Sequence, residues 1–429
     1  MKLVKTTGRG AAEAELLLAQ LERRSEPDSA ISLVVQRITD AVRKGGDKAL
    51  RKYAAQYDGL LPQSPLQIAA SDMEAAWNEI AEPLQEALQV AGGNIRGFAE
   101  RQLAQDWNFS PLPGLSTGQI VRPIGAVGCY VPSGRHPLPS SLLMTVIPAQ
   151  VAVAERIVVV APNPARETLA AAHLLGVTEF YRVGGAQAIA ALAYGTDSLV
   201  RVDKIVGPGN RYVTTAKKLV AFDCGIDMLA GPTEIVVTSA KGDPDLIAAE
   251  LVAQAEHDPE ALAILVTTQL DLATSVIAAV KTRVKTNATA KESLRQHGFV
   301  FVAGSVTEAR EITNRLAPEH LTVDEASDLK WVTNAGSVFV GPYSPQPMGD
   351  YVSGPNHTLP TGGLARVRGG LSVMDFVKLI TVQSYSLPAL KTLGPAAIAL
   401  AEAEGLLGHA EAIRARGVTT STVKRVSRG

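Results

Sequence analysis

The sequence predicts an α/β protein with two open domains of mostly parallel sheet, plus helical N-terminal and C-terminal segments. Three observations predict it. Short runs of β-branched and aromatic residues at 127–131, 157–160, 179–183 and 204–206 alternate with Ala-rich helical patterns. A second series at 234–238, 263–267, 299–302 and 337–340 alternates with helical patterns at about 244–256, 269–285 and 306–316. Connections of this length hold a helix, as parallel neighbours require and hairpins do not, so each series is a Rossmann-like α/β unit. The third observation is length: 429 residues exceed what one hydrophobic core serves.

Taken in order, 1–20 reads as an N-terminal helical segment and 21–123 as the first part of α/β domain 1. Runs of Ala, Leu, Glu, Gln and Arg dominate there, with Pro83 near the start of a helical turn. Residues 124–235 form α/β domain 2, 236–372 complete domain 1, and 373–429 make a helical C-terminal segment ending in a basic tail. Hydrophobic residues at 46% and charged residues at 19% supply material for large cores and argue against disorder. A formal charge of -1 provides no basic field for nucleic acid. The two cysteines, Cys129 and Cys224, build neither a disulfide framework nor a Cys-rich zinc module, which suits a reducing, cytoplasmic setting. No secretory signal is visible at the N-terminus. The most apolar stretch, 142–161, is broken by Pro148, Gln150, Glu155 and Arg156, so no membrane span is expected.

Candidate chemistry gathers around four of the seven histidines. Gln254 and His257 lie three positions apart in a helical pattern ending at Pro259, which puts both on one face. The pair suits a metal, and equally an ordinary surface. Pro318 bars a regular helix just before Glu319 and His320, so this carboxylate and imidazole sit at an element boundary, suited to proton transfer or to an exposed turn. The stretch 343–370 is dense in Pro and Gly and nearly free of periodicity, which marks a functional loop. It contributes Asp350 and His357, and its glycines permit close approach to a ligand. Glu404 and His409 flank an apolar helix turn, in a site role or a capping one. A Gln, a His, an Asp and a second His drawn from these stretches would make an all-N/O donor set that suits zinc, manganese or cobalt. His136, His173 and His297 stand apart and read as structural or surface residues. The dinucleotide fingerprint Gly-x-Gly-x-x-Gly follows no predicted strand. The nearest substitutes, 183–187 and 206–210, each lie between a strand and a helix, as a ligand-facing turn or a plain helix cap.

These stretches resemble the histidinol dehydrogenase family across nearly the whole chain, most closely from about Ile124 onward. The resemblance rests on Gly128-Cys129-Tyr130-Val131-Pro132, Gly184-Gly185-Ala186-Gln187, Gly207-Pro208-Gly209-Asn210, Gln254-Ala255-Glu256-His257, Pro318-Glu319-His320-Leu321 and Gly354-Pro355-Asn356-His357. It implies one zinc ion per subunit held by Gln254, His257, Asp350 and His409, and NAD contacts at Tyr130, Gln187 and Asn210. Glu319 activates water and His320 is the general base in that scheme. Thr233, His320, His357, Glu404 and the zinc ligands hold substrate. The implied reaction is the four-electron oxidation of L-histidinol through L-histidinaldehyde to L-histidine with two NAD, the last step of histidine biosynthesis. The implied assembly is a homodimer with Glu404 and His409 contributed across the interface. Thr233 departs from the serine common at its place; the hydroxyl stays and a methyl group adds bulk. A related zinc- and NAD-dependent dehydrogenase of another small polyol or amino alcohol also fits the residues. So does a metal-dependent hydrolase in which Glu319 and His320 activate bound water, and a non-catalytic binding protein is the plainest alternative. A thiohemiacetal on Cys129, next to Tyr130, is a further route that the resemblance does not require.

Overall fold

A computed structural model describes residues 1–22, 29–61, 63–133 and 137–418; His136 and the basic tail lie outside the described residues. Two units emerge: Met1–Leu103 with Ile124–Phe376, and Ala104–Pro123 with the chain from Val377 onward.

The first unit holds two parallel sheets. One has six strands in the spatial order Lys2–Lys5, Gly298–Val302, Leu262–Thr267, Glu234–Thr238, His320–Val323, Ser337–Val340. The other has five, in the order Glu179–Tyr181, Arg156–Val160, Ala126–Tyr130, Lys204–Val206, Gly225–Ile226. In each series the first strand, Glu234–Thr238 or Ala126–Tyr130, lies inside the sheet and the winding reverses beside it. That reversal is the switch point of a doubly wound fold. Burial on both faces explains the apolar runs: every residue of Leu262–Thr267 is buried. Ile235 and Val237 pack against Ile247, Leu251 and Val276 on one face. Val236, between them, joins Phe301, Ile312 and Leu18 on the other, the two-residue period of a strand.

Three expected placements differ. The segment 1–20 is α-helical only from Ala11; Lys2–Lys5 is an edge strand parallel to Gly298–Val302. Four residues with only Val4 buried carry too short a pattern to read. The helices Ser29–Tyr57, Ala70–Glu79 and Glu82–Gln102, expected to belong with 236–372, pack on the helices around the five-stranded sheet. Val35, Ile38, Val42 and Leu50 share one core with Val158, Val160 and Ile189. Periodicity reveals which face of a helix is apolar and says nothing of which sheet receives it.

The segment from 373, expected to be helical, enters the nine-residue strand Val377–Tyr385. This strand runs antiparallel to Leu115–Pro123, which pairs in turn with Trp107–Leu112. The small sheet and the helices Leu387–Ala403 and Leu407–Arg414 make the second unit, so 104–123 leaves the domain expected to hold it. No helix among the described residues is long and apolar enough to cross a membrane.

Leu50 is 1% exposed in the core shared by the first long helix and the five-stranded sheet. Leu50→Ala is expected to cost about 2–5 kcal/mol of stability in urea unfolding. A cost below about 1 kcal/mol would contradict this packing.

Candidate functional site

The strand Glu234–Thr238 pairs in parallel with His320–Val323, His320 opposite Ile235. The residues entering the two strands, Thr233-Glu234 and Glu319-His320, therefore meet at one sheet edge. The helix Val306–Leu316 ends on Ala317 in the left-handed conformation (φ 46°), and Pro318 prevents its continuation. The chain turns there and delivers Glu319 into the interior.

Glu319 is buried, and its Oε2 accepts hydrogen bonds from Thr233 Oγ1 at 2.5 Å and from Glu234 N at 2.8 Å. Burial pushes its carboxyl above the usual range, against the opposing pull of His320 and the two donors. His320 is also buried, with Nδ1 3.1 Å from the Glu234 carbonyl oxygen. A carbonyl only accepts, so Nδ1 carries the hydrogen and the neutral ring keeps its lone pair on Nε2. That nitrogen lies 3.3 Å from Gln346 Nε2 and 3.7 Å from Asp350 Oδ1. Burial lowers the ring's basicity, but Glu319 and Asp350 together outweigh it and hold His320 above its ordinary value.

The Thr233 hydroxyl has a second partner, the Gln254 amide nitrogen, which donates to it at 2.5 Å. With its amide nitrogen so engaged, Gln254 keeps Oε1 buried and without a partner. Asp350 Oδ2 accepts from the Gln346 amide and lies 4.0 Å from His257 Nε2. Burial works against the Asp350 charge, yet His320, His357 and His257 hold its carboxyl below the usual value. His357 donates from Nδ1 to the Asp350 carbonyl at 2.8 Å, and its Nε2 lies 3.4 Å from Ser141 Oγ. Burial depresses His357, which keeps it neutral.

The structure thus gathers Thr233, Gln254, His257, Glu319, His320, Asp350 and His357. Glu404 and His409 belong to the second unit, both exposed, Glu404 as the C-cap of Leu387–Ala403. Among the described residues no group of three or more His, Cys, Asp and Glu side chains is assembled for a metal. Such a group excludes an amide like Gln254 by kind. The donors still fit a cation by kind: Gln254 offers an orphaned, buried amide oxygen, and the depressed Asp350 carboxylate lies 4.0 Å from the His257 imidazole.

Local geometry departs from the sequence reading in two respects. The helix carrying Gln254 ends at Ala255, so a turn beyond the helix, rather than a shared helical face, presents His257. Asp350 sits on the short helix Gln346–Tyr351 rather than in a loop. A Cβ on Gly349 would lie 2.7 Å from the Phe339 ring, and one on Gly354 (φ +103°) 2.8 Å from the Asn94 carbonyl oxygen. Those glycines admit neighbouring protein, not a ligand. Gln346 and Ser141 escaped the sequence reading, having neither a titratable group nor a motif.

Tyr130 ends the central strand of the five-stranded sheet, and Asn210 follows its neighbour Lys204–Val206. Both therefore stand at the carboxyl edge of the switch point, where doubly wound sheets take ligands. Tyr130 Oη accepts from Gly185 N at 3.1 Å. Gln187 donates to Asp58 Oδ2 at 3.0 Å, as does Gly184 N. Asn210 caps the helix Arg211–Val220. Gly207 (φ +113°) packs its α-carbon against the Tyr130 carbonyl, leaving no room for a Cβ. The buried Lys217–Asp227 ion pair fixes this glycine: Asp227 accepts from its N–H and Lys217 donates to its carbonyl.

Two doubly wound sheets whose edges present a buried carboxylate–imidazole pair and a switch-point crevice define an α/β enzyme equipped for acid–base chemistry. The sequence profile of the histidinol dehydrogenases matches residues 21–417. The chain belongs to the histidinol dehydrogenase family, a family of oxidoreductases. It is 43% identical over 430 residues to the histidinol dehydrogenase of Gluconobacter oxydans, covering 97% of this chain and 99% of that protein. With the one from Methanothermobacter thermautotrophicus it shares 44% over 392 residues, 88% of this chain and 92% of the other. A crystal structure of histidinol dehydrogenase from Elizabethkingia anophelis matches with a TM-score of 0.91 at 32% identity, over 97% of this chain and 98% of that one.

Cys129 and Cys224 are buried, and burial pushes both thiols up to about 12. Neither is a nucleophile at neutral pH. Iodoacetamide at pH about 8 is expected to leave the mass of the native protein unchanged and to add two groups after denaturation. A native adduct on Cys129, or a Cys129→Ala variant that fails to turn over, would revive the thiohemiacetal route.

Proposed function

We propose that this chain oxidises L-histidinol through L-histidinaldehyde to L-histidine with two NAD, as a cytoplasmic, zinc-dependent homodimer completing histidine biosynthesis. One observation carries the reading: the Thr233 hydroxyl ties Gln254 to Glu319, orienting an unpartnered amide oxygen toward a cation and a buried carboxylate toward chemistry. Gln254, His257 and Asp350 would hold the zinc, with His409 supplied across the dimer. The exposed Leu379, Ile380, Val382, Leu400, Leu406 and Leu407 of the second unit support such self-association. Tyr130, Gln187 and Asn210 would bind NAD. When bound, zinc anchors the nitrogens of histidinol and NAD accepts one hydride in each half-reaction.

The chain's own residues move the protons. In the neutral His320 ring the hydrogen sits on Nδ1, facing the Glu234 carbonyl, so Nε2 is the atom that takes the proton of the carbinol hydroxyl. Glu319 and Asp350 stabilise the imidazolium that results. Glu319 keeps Oε1 free while Oε2 is bound by two donors, so Oε1 is the atom that takes a proton from the water adding to the aldehyde. His320, protonated in the first half-reaction, returns that proton to the aldehyde oxygen as the hydrate forms and then accepts the hydroxyl proton of the hydrate. His357, neutral and fixed by the Asp350 carbonyl, presents Nε2 to substrate, and Glu404 would face the substrate ammonium. The Thr233 hydroxyl is spent on Glu319 and Gln254, so its role with substrate is chiefly to orient those two.

With limiting L-histidinol and excess NAD, two NADH per histidinol are expected; one or none contradicts the proposal. Glu319→Gln removes the acceptor for the proton of water. The second oxidation should slow about 10²–10³-fold while the first persists, so that aldehyde trapped by semicarbazide exceeds histidine formed. Histidine produced by this variant at the parent rate would rule Glu319 out.

A further inference from the structure

Gln346 is fully buried and opens the short helix Gln346–Tyr351 behind Pro345. Its backbone N–H donates to Glu250 Oε2 at 2.8 Å, and Glu250 lies one turn before Gln254 on the helix Pro244–Ala255. Its side-chain nitrogen lies 3.3 Å from His320 Nε2 and hydrogen-bonds Asp350 Oδ2. An amide NH2 has two hydrogens, and both have acceptors here. The flipped amide would face an oxygen to the Asp350 carboxylate, acceptor against acceptor, so the network itself fixes the orientation.

We propose that Gln346 is the positioning residue that holds the neutral general base in place in the resting enzyme, yields the Nε2 lone pair when the substrate hydroxyl enters, and couples the ring to the metal-side carboxylate Asp350. This role rests on the reading of His320 and Asp350 under Proposed function. The Glu234 carbonyl fixes the ring from the Nδ1 side, and the Gln346 amide fixes it from the Nε2 side. Imidazole and carboxylate thereby become parts of one hydrogen-bonded unit rather than two independent rotors. The remaining atom, Gln346 Oε1, is buried with no partner. Such an acceptor is costly until satisfied, and the donor that satisfies it arrives with substrate or water. Neither substitute of similar size does this. A methionine donates nothing, and a glutamate adds a second carboxylate beside Asp350.

The test uses full-length, zinc-loaded Gln346→Met and Gln346→Glu, assayed with L-histidinol and NAD beside the parent. In both, kcat should fall about 100-fold. KM for NAD should stay within about twofold of the parent, because Tyr130, Gln187 and Asn210 belong to the strand and helices wound around the five-stranded sheet and none hydrogen-bonds Gln346. Zinc should pass to a chromogenic chelator about 10-fold faster, a readout independent of turnover. If Gln346→Met does not fold by circular dichroism, Gln346→Glu, which conserves volume, carries the test. A kcat within about threefold of the parent in a folded variant overturns the role. So does a KM for NAD that rises as far as kcat falls, which marks general distortion. A parent that neither oxidises histidinol nor binds zinc overturns the functional reading, and this role with it.

Discussion

The pairing of Glu234–Thr238 with His320–Val323 is the constraint on which the site depends. Its register sets His320 opposite Ile235, so the Glu234 carbonyl meets the imidazole and the Glu234 amide meets the Glu319 carboxylate. A slip of one residue would turn His320 to the other face of the sheet and expose its apolar neighbours. Register is therefore held by the core, by Val236 and Leu321 on one face and Ile235 on the other, rather than by the polar groups that profit from it.

Parallel α/β sheets generally place ligands at the carboxyl ends of their strands. The five-stranded sheet follows that rule with Tyr130, Gly207 and Asn210. In the six-stranded sheet Thr233, Glu319 and His320 lie at the amino ends instead, and the helices Pro244–Ala255 and Val306–Leu316 finish at that same edge. Helix C-termini carry partial negative charge, so this edge favours a cation and an imidazolium. The helices Pro139–Val151, Gly185–Tyr194 and Arg211–Val220 begin at the active edge of the other sheet, where amide hydrogens favour anions such as the phosphates of a dinucleotide. The His357–Ser141 contact joins the two edges. A cation-favouring edge beside an anion-favouring one suits a reaction that joins a metal-bound alcohol to a nucleotide.

Strand–helix alternation from 124 to 340 was legible because the inner parallel strands are buried on both faces and read as apolar runs. Glu319-His320 was legible because Pro318 forced a boundary there. What failed depended on partners distant in sequence. Lys2–Lys5 is a strand only because Gly298–Val302 offers an edge, and Ser29–Tyr57 joins the five-stranded core for reasons its own periodicity does not contain. Val377–Tyr385 did carry β-branched residues, but its neighbour Leu115–Pro123 lies far upstream. Gln346 was invisible for a chemical reason: an amide in a Pro-rich stretch becomes significant only when an imidazole and a carboxylate are found on either side of it.

In the proposed reading the half-buried Thr233 hydroxyl joins a buried amide to a buried carboxylate and leaves one amide oxygen for a cation, with no cysteine among the donors. Cys129 and Cys224 lie in the core around the five-stranded sheet and are absent from the donor set. Zinc K-edge absorption on the loaded protein tests this most directly. One ion per subunit with only nitrogen and oxygen neighbours at about 2.0–2.2 Å is the predicted result. A sulfur shell near about 2.3 Å, or no zinc retained, would contradict it.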